Sequence, residues 1–201
     1  RRTIDWKELP HDRFVGHGRE GLILRLGKNR AIKVYTPDKM DSAQREFVNY
    51  GFIEKKGFLV PKAEEVVDIH IGGQEVKLPG KCEFQGIGLY NFSGVESVPG
   101  VIKEFFPGKV YGKKEPGIKE IIGLLNYLDK LEEEGLTFTD GVIFDFIASQ
   151  KGTALVDCST LVKKRELDER DLLGFSQRSK RYKERILSAF ESELAVRGFM
   201  G

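Results

Sequence analysis

Between Phe14 and Tyr35 the apolar residues come in short runs broken by glycine and polar punctuation: FVGHGREG, LILRL, GKN and AIKVY. The pattern predicts a strand, a glycine turn, a second strand, a turn at Gly27-Lys28-Asn29 and a third strand. The period changes at Asp41-Ser42. In SAQREFVNYGFIEKK, Phe47, Tyr50 and Ile53 recur at helical spacing, Gly51 weakens the helix and Gly57 is its expected stop. The stretch 64–106 returns to short β-type segments, EEVVDIHI, QEVKL, QGIGLYNF and GVIKEFF, separated by turns at Gly72-Gly73, Pro79-Gly80 and Pro99-Gly100.

After Pro107-Gly108 the period lengthens again. Pro116 stands near the start of a helix whose expected buried face is Ile118, Ile121, Ile122, Leu125, Leu128 and Leu131, with Gly135 ending it. Two apolar strands, VIFDFIA and TALVDCS, follow around a turn at 149–152. A final helix is expected over roughly residues 169–196, with Leu172, Phe175, Tyr182, Ile186, Phe190 and Leu194 as its buried stripe. The expected class is α+β. One domain covers 1–201, with a β-rich N-terminal lobe holding one helix over about 12–106 and a reduced, mostly helical C-terminal lobe over about 107–201.

Composition adds limits rather than detail. Charged residues make up 32% and hydrophobic residues 40%, which is ordinary for a soluble globular chain. A net charge of +2 does not by itself imply nucleic acid or a membrane surface. The charge is uneven, however: Lys163-Lys164-Arg165 and the cluster Arg178, Lys180, Arg181, Lys183, Arg185 make the C-terminal region basic. Such a cluster reads either as a solvated helix face or as a docking surface for an acidic partner or RNA. The two cysteines, Cys82 and Cys158, form no CxxC and no zinc-ligand spacing, so a reducing compartment is expected. No apolar run approaches the roughly 18 residues of a membrane span. The opening RRTIDWKELP does not read as a signal peptide.

Three pieces carry chemistry. Gly16, Gly18 and Gly21 match GxGxxG, but the residues after them read as a strand rather than a helix, which argues against a dinucleotide fold. A strand-turn-strand glycine loop can close backbone amides over phosphates; it can also be a plain tight hairpin. Lys33 lies between Ile32 and Val34 on the third strand, so its side chain points opposite to both. An acid holding it extended would aim it at phosphates. Glu46 is the obvious acid, with Glu54 two turns further on. Finally, Asp140, Asp145 and Asp157 stand five and then twelve residues apart in an apolar stretch, where carboxylates are costly unless paired or metal-bound. Asp145 and Asp157 suit Mg²⁺, Asp140 suits a hydroxyl proton, and Asp140-Gly141 is also turn chemistry in its own right.

In this order the motifs resemble the protein-kinase-like superfamily over about residues 12–175. GHGREG resembles its glycine-rich loop, AIK at 31–33 its lysine strand, and QREF at 44–47 the helix bearing the glutamate partner. VIKEFFPG at 101–108 resembles the strand running into the adenine-contacting hinge, which implies cofactor contacts at Glu104 and Phe106. LLNYLDKLEEEGLTFTD is similar to the helix leading into the catalytic loop. The loop's D-x-x-x-x-N appears as Asp140 to Asp145, and the metal-binding DFG as Asp157-Cys158-Ser159. There are departures. Phe138-Thr139 stand where His-Arg is usual, Asp145 replaces asparagine, Cys158-Ser159 replace Phe-Gly, and no APE motif follows. These features are similar to minimal or atypical kinases, RIO-like or of the compact bacterial effector type.

The resemblance implies ATP with Mg²⁺ or Mn²⁺ as cofactors and a protein serine or threonine as acceptor. Lys33 would position phosphates, Glu46 would orient Lys33, Asp140 would act as base, and Asp145 and Asp157 would hold the metal. It implies a cytoplasmic location, or a host cytosol for an effector. A pseudokinase that docks a partner through its cleft or basic C-terminal helix is the alternative, favoured by the Phe138-Thr139 and Cys158-Ser159 departures. A small-molecule kinase is a lesser one, because the chain is short for an added substrate domain.

Overall fold

The alternation between Phe14 and Tyr35 folds as read: β2 (Phe14–His17), β3 (Gly21–Arg25) and β4 (Arg30–Tyr35) form an antiparallel meander. The computed structural model describes residues 1–17, 20–73, 92, 94–111, 117–138 and 145–169, together with 180, 181, 183, 184, 187, 188, 191 and 192. The expected segments QEVKL and QGIGLYNF, apart from Phe92, lie outside the described residues, as does most of the expected final helix. The described chain is α+β; its elements include eleven strands and the helices α1 (Met40–Lys55) and α2 (Ile118–Glu133). It divides into two compact units, Arg1–Phe106 and Pro107–Gly201.

In the first unit six strands are ordered β1-β5-β6-β4-β3-β2, where β1 is Thr3–Asp5, β5 is Ala63–His70 and β6 is Ser97–Glu104. β1 runs parallel to β5; the other pairings are antiparallel. The pleat sends Leu22, Leu24, Ile32, Val34, Val67 and Ile102 to one face, where they form the main core. Tyr35 and Val101 point the other way and pack with Ala43 of α1 (Met40–Lys55). Fully burying each large apolar side chain stabilises the unit by about 1.5–3 kcal/mol. Gly57 ends α1's turn at φ 75°, a left-handed conformation that glycine adopts without a Cβ clash.

Two expectations change here. The sheet begins before residue 12: Thr3–Asp5 add the parallel strand, and Leu9 joins the core. A three-residue strand is too short to show a period. The strand expected over 100–106 starts earlier, at Ser97, and stops at Glu104.

In the second unit α2 (Ile118–Glu133) opens with the Gly117 N–H donating to Glu120 Oε2 at 2.9 Å and ends before Gly135 at φ 68°. Its buried residues are Ile121, Leu124, Tyr127, Leu128 and Leu131, whereas Ile122 is exposed. The apolar stripe is thus rotated toward Leu124 and Tyr127, because Tyr127 packs edge-on against Phe146 at 5.4 Å between ring centroids. β7 (Lys109–Val110), β9 (Phe146–Ser149) and β10 (Gly152–Leu155) form one small sheet. β8 (Leu136–Phe138) pairs with β11 (Leu161–Lys163) in another. The hairpin turn at 149–152 is where the sequence placed it, but the strands are shorter, so Asp157 stands two residues beyond β10 rather than at its end. Among the described residues no helix is long and apolar enough to cross a membrane.

Candidate functional site

The register of β4 on β6 sets Lys33 opposite Val101 and Ala31 opposite Lys103. Residues two apart on a strand share a face, so Lys33, Tyr35, Val101 and Lys103 all lie on the α1 side of the sheet. There Glu46, fully buried on α1, receives them. Lys33 Nζ is 2.8 Å from Glu46 Oε2, and Lys103 Nζ is 2.6 Å from Oε1. The Tyr35 hydroxyl also donates to Glu46 Oε2, and Lys103 donates to the Tyr50 hydroxyl at 2.7 Å. Each ammonium stands near an aromatic face, Lys33 at 4.6 Å from the Tyr35 centroid and Lys103 at 4.9 Å from that of Tyr50.

Glu46, not Glu54, therefore meets Lys33; Glu54 points outward, exposed. Lys33 is only 4% exposed and Lys103 only 3%, so neither is a surface lysine. Lys103 was missed by sequence reasoning. The signal was present: VIKE repeats the AIKV arrangement of a lysine after two apolar strand residues, one hydrogen-bonded strand away.

An ionic cluster this dry is weak evidence for stability, because apolar residues of similar volume often do as well or better in such a place. Buried charges held in fixed geometry are more characteristic of sites that bind or act on charged groups. A second acid, Glu20 on the glycine loop, reaches Lys33 Nζ at 3.4 Å and is partly exposed. Lys33 therefore links the rim of the loop to the buried helix.

The loop's three glycines differ. Gly18 lies outside the described residues. A Cβ added at Gly16 would meet nothing within 4 Å, so packing does not require glycine there. A Cβ at Gly21 would fall 2.0 Å from the Val34 carbonyl oxygen in the β3–β4 ladder. Backbone cannot step aside cheaply, so Gly21→Ala is expected to lower the unfolding free energy by about 1–3 kcal/mol. Gly16→Ala should stay within about 0.5 kcal/mol. Urea unfolding of the two variants checks this, and equal midpoints would contradict it.

At the end of β6, Glu104 is half-buried. Its N–H donates to the Lys62 carbonyl at 2.9 Å, and its Oε2 accepts from the Lys62 amide at 3.3 Å. Phe106 is buried.

Of the three aspartates, Asp140 lies outside the described residues. Asp145 and Asp157 come to the same end of the β9–β10 hairpin, because the Val156 N–H donates to the Asp145 carbonyl oxygen at 2.7 Å, one step past the last ladder pair, Leu155 with Phe146. Asp157 Oδ1 accepts from both the amide and the hydroxyl of Ser159, at 3.1 and 2.8 Å. Cys158 between them is a fully buried cysteine outside any disulfide. Among the described residues no group of three His, Cys, Asp or Glu side chains is placed to hold a metal ion.

Part of the basic C-terminal charge is met within the second unit. Lys183 pairs with Asp129 and Glu132, both at 2.7 Å, Lys164 pairs with Glu132 at 3.5 Å, and Lys163 with Glu166 at 3.1 Å. The hydrogen bond from Lys183 holds the Glu132 carboxyl below its usual range. Arg178 and Arg185 lie outside the described residues, while Lys180 and Arg181 are exposed.

No family model matches the sequence, and no curated protein matches it. Among solved structures, the chain is similar to monomeric WbdD, with a TM-score of 0.46 and 14% identity over 71% of this chain and 32% of that one. It is similar also to WbdD co-crystallised with the kinase inhibitor LY294002, with a TM-score of 0.46 and 16% identity over 75% of this chain and 33% of that one. The chain thus spans about a third of the length of these structures.

Proposed function

We propose that this chain binds ATP with Mg²⁺ or Mn²⁺ and transfers the terminal phosphoryl group to a serine or threonine hydroxyl of a protein, as a minimal protein kinase. The observation that carries the reading is the buried Lys33–Glu46 pair at 2.8 Å on a strand that follows a glycine turn. A lysine fixed this way by an acid on a neighbouring helix is suited to hold α- and β-phosphates. Gly16, Gly18 and Gly21 would lay amides over the phosphates, and Glu104 and Phe106 would border the adenine. In the second unit Asp145 and Asp157 would hold the metal; two carboxylates suffice where phosphates and water complete the shell. Asp140 would accept the hydroxyl proton. The metal, when bound, supplies charge neutralisation on the phosphates.

The grip of Ser159 on Asp157 Oδ1 favours a second reading, a nucleotide-binding scaffold in which Asp157 serves its own turn. Two measurements separate these readings. Incubation with labelled ATP and Mg²⁺ or Mn²⁺, with and without a generic protein substrate, should give labelled protein. Thermal unfolding should also shift upward, since a ligand at a hundred times its Kd adds about 2.7 kcal/mol. A shift without transfer selects the scaffold; neither a shift nor transfer sinks nucleotide binding altogether.

A further inference from the structure

We infer that Lys103 is a positioning residue: it fixes Glu46 so that Glu46 can aim Lys33. The inference deepens the phosphate-binding reading and rests on it for the purpose of the aim, but not for the geometry. Glu46 offers two oxygens, and the cluster divides them. Oε1 takes Lys103 at 2.6 Å, while Oε2 takes Lys33 at 2.8 Å and the Tyr35 hydroxyl. With Lys33 alone the carboxylate could rotate about its last torsion, which is broad and roughly two-fold. A second ammonium on the opposite oxygen removes that freedom. Lys103 is itself fixed, by the Tyr50 hydroxyl at 2.7 Å and by its place on a strand hydrogen-bonded to the one that bears Lys33. Tyr50 is one turn after Glu46 on α1, so the same helix presents both anchors of Lys103. The helix is thereby tied to β6 as well as to β4, and the orientation of Glu46 does not depend on a bound ligand.

Lysine-selective ¹⁵N labelling tests this, because buried, hydrogen-bonded ammonium groups exchange their protons slowly and give their own signals. The parent should show two such signals, assigned by their loss in Lys33→Arg and in Lys103→Met. In Lys103→Met the Lys33 signal should broaden or disappear while the backbone amides of Val67 and Ile69, on the far core face, stay in place. Titration with Mg-ATP should show an affinity weaker by about tenfold or more, the range expected for one charge-assisted hydrogen bond. If Lys103→Met does not fold, Tyr50→Phe removes only the hydroxyl that holds Lys103, and it should move the Lys33 signal in the same direction. A Lys33 signal unchanged in either folded variant overturns the inference. So does a displaced Lys33 signal with unaltered Mg-ATP affinity. A parent protein that binds no Mg-ATP defeats the proposed function instead, while the ammonium signals still decide whether Lys103 places Lys33.

Discussion

Glu46→Gln is expected to lower the unfolding free energy by about 3–5 kcal/mol, the usual cost of removing one member of a buried ionic group. The glutamine keeps the shape and one acceptor, but it withdraws the carboxylate that two buried ammonium groups share. Against a total stability of about 5–15 kcal/mol, a loss of this size is large. Urea unfolding monitored by circular dichroism measures it, and a change under about 1 kcal/mol would contradict the cluster as described. Replacing Glu46, Lys33 and Lys103 together by leucine and two methionines removes the three buried charges at once, leaving only the partly exposed Glu20, and should recover most of the stability. It should not recover Mg-ATP binding. Stability and binding would then be separated in one residue group, with the charges serving the second.

Asp157→Ala is expected to reduce phosphoryl transfer by more than about 100-fold, because even outer partners of a metal site cost 10–100-fold when removed. The stability change should be about 1–3 kcal/mol, because the buried Ser159 amide and hydroxyl lose their carboxylate acceptor. Transfer from labelled ATP, compared with the thermal midpoint, reads the two effects independently. A variant that transfers at the parent rate would leave Asp157 as a turn residue only. Ser159→Ala is the matching control: it removes the hydroxyl donor to Oδ1 but keeps the amide donor and the Asp157 carboxylate, and should leave transfer close to the parent rate.

Much of the first unit was legible because its elements follow simple periods. Glycine and GKN punctuation marked the β2–β4 meander, and the three-to-four spacing of α1 put Glu46 on the face that meets Lys33. Glu46 and Glu54 could not be separated by spacing alone; only the packing of α1 on β4 and β6 decides which turn sits over the lysine. Lys103 stayed hidden for a related reason. A lysine in a strand is ordinarily at the surface, and its burial depends on cross-strand register, which one sequence does not display. The rotation of α2's stripe escaped because only isoleucine and leucine spacing defined the expected face, whereas the ring of Phe146 makes the position of Tyr127 an interior one. For the aspartates, the sequence showed spacing but not shape. The pairing of Val156 with Asp145 brings two of them to one hairpin end, and no pattern of apolar residues encodes that final bond beyond the ladder.

The parallel strand β1 has a consequence for how the sheet meets other chains. Thr3–Asp5 cover the outer backbone of β5, and the attachment is reinforced by Arg2 on Glu65 at 2.9 Å and Arg1 on Asp68 at 3.5 Å. Both ion pairs are partly exposed to solvent and so individually weak. Lifting three residues would bare an open row of β5 donors and acceptors, the template on which extended peptides and other copies of a sheet add themselves. β1 is itself an edge strand, but of three residues against the eight of β5, so it leaves a shorter open row than β5 would and blunts that edge of the sheet.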